Sequence, residues 1–91
     1  MVDSMKPRKQ PYGDKNISGA IIERLRKEQG IKQLELISRV QLLGVDINPS
    51  SLSKLEGQQR IAADYELRAI AKVLNVSMDD LVPPIDPLAE E

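Results

Sequence analysis

The side chains best suited to molecular recognition crowd into one short stretch, Asn48-Pro49-Ser50-Ser51-Leu52-Ser53-Lys54-Leu55-Glu56-Gly57-Gln58-Gln59-Arg60. Hydroxyls, amides and cations of this kind bond to base edges and phosphate oxygens, and none of them is an activated nucleophile. The chain has no cysteine and no histidine. That removes thiol nucleophiles, disulfides, zinc fingers, imidazole metal ligands and imidazole acid–base catalysis together. Asp79-Asp80 reads as charge favourable to a helix start, not as a metal site. No nucleophile–base pair, phosphate loop or metal set emerges from the spacing, so the expectation is a protein that is not an enzyme and carries no cofactor.

Such a polar stretch needs a frame. Ninety-one residues make one domain, and a chain this short buries only about 60% of its unfolded surface. Two Tyr, with no Phe or Trp, leave Leu, Ile, Val and Ala to build the core, which favours packed helices over a sheet. No apolar run is long enough for a membrane span or signal peptide, which predicts a cytoplasmic protein with no membrane partner. The net charge of −1 hides a segregation. Residues 1–60 carry 11 Lys/Arg against 7 Asp/Glu, and residues 61–91 carry 2 against 7, so a basic front of +4 precedes an acidic back of −5. A polyanion fits the front.

Along the chain, residues 1–16 are rich in Pro, Gly and cations without apolar periodicity, the signature of a disordered arm. Ile21, Ile22, Leu25 and the stem of Arg26 then recur at helical steps, which predicts a first helix over 18–29, capped by Ser18 and stopped by Gly30. A second, over 32–43, places Leu34, Ile37 and Val40 on one edge with Leu36 and Leu43 beside them. After a turn, Asn48-Pro49 is a strong start for a third helix over 49–56, Asn as cap and Pro at the first helical position. Only Leu52 and Leu55 anchor it, so most of it faces outward. Leu67, Ile70, Ala71 and Leu74 define a fourth helix ending at Asn75. Ser77-Met78-Asp79-Asp80 resembles a capping box for a short fifth helix through Val82. Pro83-Pro84 stops it, leaving an acidic tail. The domain therefore spans 17–82, between an arm at 1–16 and a tail at 83–91.

Five short helices with a nearly naked third resemble the phage-repressor-like (Cro/repressor, XRE-type) helix-turn-helix family. Gly30-Ile31-Lys32-Gln33-Leu34-Glu35-Leu36 is similar to the start of its second helix. Ser51-Leu52-Ser53-Lys54-Leu55-Glu56 with Gly57 and Arg60 is similar to its recognition helix and exit. Ile70 to Leu81 is similar to its last two helices. The resemblance implies an all-α, lambda-repressor-like bundle that binds double-stranded operator DNA as a homodimer and acts as a transcriptional regulator, most often a repressor.

Under that resemblance Asn48, Ser50, Ser51 and Lys54 face bases, Lys54 best placed to read guanine. Gln33 touches phosphate or an adjacent base, and Lys32, Gln58, Gln59 and Arg60 hold flanking phosphates, which set register. Lys6, Arg8 and Lys9 of the arm add nonspecific affinity. Glu56 is expected to be structural, paired with Arg24 or Arg39, because a bare carboxylate would repel phosphate. Val76, Met78, Leu81 and Val82 form an apolar patch for the dimer. One departure concerns residues 41–47, which hold about five more residues than the family's tight turn; helix two is expected to gain a turn, with Ile47 plugging the core. An alternative reading makes the same bundle a protein-interaction module, such as the antitoxin half of a toxin–antitoxin pair or the partner of a co-regulator.

Overall fold

Several helices begin where a side chain is available to accept from backbone amides, although the one that starts after Lys32 has no such cap. At the entry to the helix Pro49–Glu56, Asn48 Oδ1 accepts from the Ser51 amide at 2.7 Å, with Pro49 in the first helical position. At the helix Asp64–Leu74 it is Glu66 that reaches back, its carboxylate accepting from the Ala63 amide at 3.0 Å. The structure, a computed structural model, describes residues 14–85. It contains α1 (Gly19–Glu28), α2 (Gln33–Leu42), α3 (Pro49–Glu56), α4 (Asp64–Leu74) and a 3-10 helix, Met78–Leu81, with no strand among the described residues. The chain is thus an all-helical bundle, and no described helix is long and apolar enough to cross a membrane.

Two starts differ from expectation. Ser18 does not cap α1 with its side chain; Asn16 Oδ1 does so instead, accepting from the Ser18 and Gly19 amides at 3.0 and 2.7 Å. The folded unit therefore begins before Ile17. The Lys15 amide also donates to Gln58 O at 3.0 Å. At the other end the expected fifth helix is a single 3-10 turn. Asp80 accepts from both the amide and the hydroxyl of Ser77 at 3.1 Å, and Val82 is already extended ahead of Pro83. The arm cations Lys6, Arg8 and Lys9 lie outside the described residues, as does the tail beyond Ile85.

Stops follow the same logic. Gly30 takes φ +72, and amides of Gly30 and Ile31 return to Lys27 O and Arg26 O, both at 3.0 Å, closing α1 with carbonyls satisfied.

The core is aliphatic: Ile22, Leu36, Ile37, Val40, Ile47, Leu52, Leu55, Ile70, Leu74 and Leu81 are all buried. Truncating any one of these leucines or isoleucines to Ala costs about 2–5 kcal/mol. In α2 the inward stripe is Leu36, Ile37 and Val40, whereas Leu34 and Leu43 stand in solvent at 69% and 48% exposure. Gln33, four and seven residues before Ile37 and Val40, shares their stripe. The long α2–α3 connection turns at Gly44 and returns Ile47 to the core, 2% exposed, beside Leu52 and Leu55 in one cluster. Gln41 braces the return, donating to Ile47 O at 3.3 Å. Leu81 is fully buried, so of the proposed dimer patch only Val76, Met78 and Val82 keep solvent-facing surface.

Candidate nucleic-acid interface

α3 has two chemically opposite faces. Leu52, Leu55 and Glu56 point inward at 1%, 0% and 3% exposure, while Asn48, Pro49, Ser50, Ser53 and Lys54 are exposed and Ser51 is half-buried. Ser50, Ser53 and Lys54 fall at i, i+3 and i+4, one stripe along the outer surface. Asn48 presents its amide group from the tip, since its Oδ1 is committed to the cap.

A carboxylate on the inner face sets the pose of this helix. Glu56 takes a two-pronged bond from Arg26 on α1, Nε to Oε2 at 2.7 Å and Nη2 to Oε1 at 3.0 Å. The remaining Arg26 nitrogen donates to Ile31 O at 2.9 Å, in the α1–α2 turn. Gln33 Nε2 donates to Glu56 Oε1 at 3.0 Å, and Gln33 Oε1 accepts from the Ser53 hydroxyl at 3.4 Å. One network therefore joins α1, the α1–α2 turn, the first residue of α2 and both faces of α3. The hydrogen bond from Arg26 to Glu56 raises the guanidinium above its ordinary pKa, against the opposing effect of burial. The expected partners of Glu56, Arg24 and Arg39, pair with Glu28 and Glu35 on their own helices.

A second lock ties the residue that follows the exit of α3 back to the first turn of that helix. Arg60 Nε donates to Ser51 O at 2.9 Å, Nη1 to Glu66 Oε1 at 2.9 Å and to Ile61 O at 3.0 Å, and Nη2 to Glu66 Oε2 at 3.1 Å. Four of its five N–H groups are committed by these bonds. Burial pushes the Glu66 carboxyl upward, but the bonds from Arg60 and the Ala63 amide, with the charge of Arg60, prevail and hold it below the ordinary carboxylate value. Arg60 is therefore a bolt between α3 and α4, which corrects its expected role as a phosphate clamp. Gln58 is corrected likewise. It is 2% exposed, at φ +59, and its amide donates to Asn16 O. Lys32 and Gln59 remain on the surface as expected.

No protein-family model, characterised protein or solved structure matches this chain. The reading of the site accordingly rests on its geometry. Two residues outside the expected set govern that geometry. Asn16 Nδ2 donates to Leu55 O at 3.1 Å and to Arg60 O at 2.8 Å, so the side chain that caps α1 also holds the C-terminal end of α3. Gly19 sits where a Cβ would lie 2.1 Å from Leu55 O and 2.9 Å from Glu56 O. No other residue lets α1 approach the α3 backbone so closely. A glycine and an asparagine flanking a helix start were visible in the sequence, but their partner, some forty residues away, was not.

The charge left for an anion is modest. Arg24, Lys27 and Arg39 are paired with neighbours one turn away, and Arg26 and Arg60 are locked inside. Arg68 and Lys72 are exposed on the wall of a separate groove on α4, and Lys15, Lys32 and Lys54 stay exposed elsewhere, all five without an ion pair among the described residues. Glu56, whose charge would oppose phosphate, is already neutralised by Arg26. Hydroxyls, amides and three ammonium groups can recognise an anionic, hydrogen-bonding surface. The described residues offer no group of carboxylates that could hold a metal ion.

Proposed function

We propose that this chain is a sequence-specific DNA-binding regulator of transcription with a lambda-repressor-like helix-turn-helix, α2 and α3, in which α3 enters the major groove. The observation that carries the reading is the outer stripe of α3, polar, exposed and built on a helix whose back is bolted to three other helices. Such a helix reads base edges without paying for its own ordering. Asn48, Ser50 and Lys54 are the readers, Lys54 reaching furthest. Lys32 and Lys15 meet phosphate, and Gln33 lies at the start of α2 with its amide already oriented by Glu56. Ser51 and Gln59 complete the polar rim.

Three ammonium groups set the electrostatic scale. With about 0.9 ion released per phosphate contact, one protomer has a log–log salt slope of about −3, and a dimer on two half-sites about −5. A homodimer reads half-sites about 34 Å apart on one face of the duplex. Selection from random duplexes followed by salt titration tests this directly. The expected outcome is one enriched motif, with Lys54→Ala losing about 1–3 kcal/mol of discrimination at a single base position and no thermal stability. Failure to enrich any motif would transfer the chain to the interaction-module reading, antitoxin or co-regulator partner included. That second reading draws on a separate observation, an open groove lined by the α2–α3 connection and α4, with no α3 residue in it.

A further inference from the structure

Away from α3, Leu43 and Val45 in the α2–α3 connection and Tyr65 and Ala69 on α4 line an open groove of about 260 Å³, with Arg68 and Lys72 on its wall. A second hollow shares Tyr65 and Arg68 and extends to Met78, the first residue of the 3-10 helix, with Asp64 on its far side. Leu43 and Tyr65 are each about half exposed, 48% and 56%. Arg68 and Lys72 stand one helical turn apart and belong to no ion pair among the described residues. An apolar floor with two unpaired cations calls for a short acidic segment carrying one apolar side chain.

This chain contains one. We propose that the groove is the docking site of the chain's own C-terminal segment, Asp86-Pro87-Leu88-Ala89-Glu90-Glu91, with Leu88 over Tyr65 and Ala69 and the glutamates against Arg68 and Lys72. Three observations support that occupant over an external peptide. The charges are complementary, three carboxylates in the segment facing two cations in the groove. The connection leaves from a neighbouring element, because the 3-10 helix that precedes it packs on α4 and its first residue, Met78, borders the second hollow. One segment can meet both cations: six extended residues span about 20 Å, and the two cations are about 6 Å apart along the helix axis. Pro83, Pro84 and Pro87 bias the connection toward extended backbone, which lowers the entropy lost on docking. A tether this short also gives millimolar effective concentration, so weak contacts suffice. Exposed ion pairs contribute little alone, and Leu88 is the anchor.

None of the residues lining the groove belongs to α3, so the docking stands or falls independently of DNA binding. The test is solution NMR on the full-length chain with labelled Leu and Ala methyls. Expected are nuclear Overhauser contacts from the Leu88 methyls to the Tyr65 ring and the Ala69 methyl, unchanged on tenfold dilution. Leu88→Ser should abolish them and shift the Tyr65 and Ala69 signals. Arg68→Glu with Lys72→Glu should also abolish them, and adding Glu90→Lys with Glu91→Lys should restore them. Silent Tyr65 and Ala69 signals in Leu88→Ser would overturn the proposal. Contacts seen only between differently labelled molecules would overturn it too, in favour of the tail of a second copy.

Discussion

Two arginine–glutamate pairs, alike in chemistry, hold opposite ends of α3 and differ in how far they are removed from water. Arg26–Glu56 leaves the side chains 8% and 3% exposed, whereas Arg60–Glu66 leaves 23% and 10%. The first closes the α2–α3 pair from behind, joining α1 and the start of α2 to the inner face of α3. The second joins the carbonyl of Ser51, in the first turn of α3, to the entry of α4. Depth decides what each does. A deeply buried pair specifies the pose of the helix, because breaking it strands a charge that water cannot reach, while a rim pair adds hydrogen bonds that water can partly replace.

The sharpest way to break the comparison is to remove one partner from each pair. Arg26→Met leaves Glu56 buried with only Gln33 for company, and a loss of about 3–5 kcal/mol in urea unfolding is expected. Replacing both partners by apolar residues should recover most of that stability while loosening α3, read as weaker DNA discrimination. Arg60→Ala should be milder, about 1–3 kcal/mol, since Glu66 keeps its bond to the Ala63 amide and can rehydrate. Its salt slope on DNA should match that of the unmodified protein, because Arg60 faces Glu66 and not phosphate. A changed slope would reinstate it as a phosphate contact.

The smallest effect is a pH dependence carried by the rim pair. The Glu66 carboxyl is held below its ordinary value in the fold, so its contribution to stability is present above the unfolded pKa, about 4.3, and is lost as pH falls through the folded value. Denaturant midpoints measured from pH 6 down to pH 3 should therefore fall less steeply in Glu66→Gln than in the unmodified chain. Arg26 carries the opposite sign: its raised guanidinium pKa contributes stability at every pH below the ordinary arginine value and loses it only in strong alkali. Coincident acid limbs for the two proteins would show that Glu66 has no part in the acid response.

Much of the outline was readable in one dimension. Asn48-Pro49, Gly30 and the Leu67–Leu74 periodicity located helix ends to within about two residues, because caps, the proline ring and left-handed glycine act through neighbours in sequence. The outer face of α3 was also readable, since a helix with two leucines in eight residues can bury only one side. What misled was the assignment of polar residues near α3 to its outward surface. Gln58 and Arg60 follow the helix directly and carry the right chemistry for phosphate, yet one is sealed under Asn16 and the other is bound to Glu66. Arg26, read through its aliphatic stem, proved to be the partner of Glu56 in place of Arg24 or Arg39. Leu34 and Leu43 were placed inward by counting, and the stripe actually selected was Leu36, Ile37 and Val40, with Gln33 completing it.

The sequence by itself determined the all-helical class, the helix order, the absence of thiol and imidazole chemistry and the polar stripe on α3, all consequences of residue type and short-range spacing. Only the tertiary structure decided which charges are available to a ligand. Pairing between residues 6 to 44 apart, such as Arg60 with Glu66, Arg26 with Glu56 and Asn16 with Arg60, depends on how helices cross. A guanidinium meets whichever carboxylate the packed core brings within 3 Å, and no local pattern records that meeting.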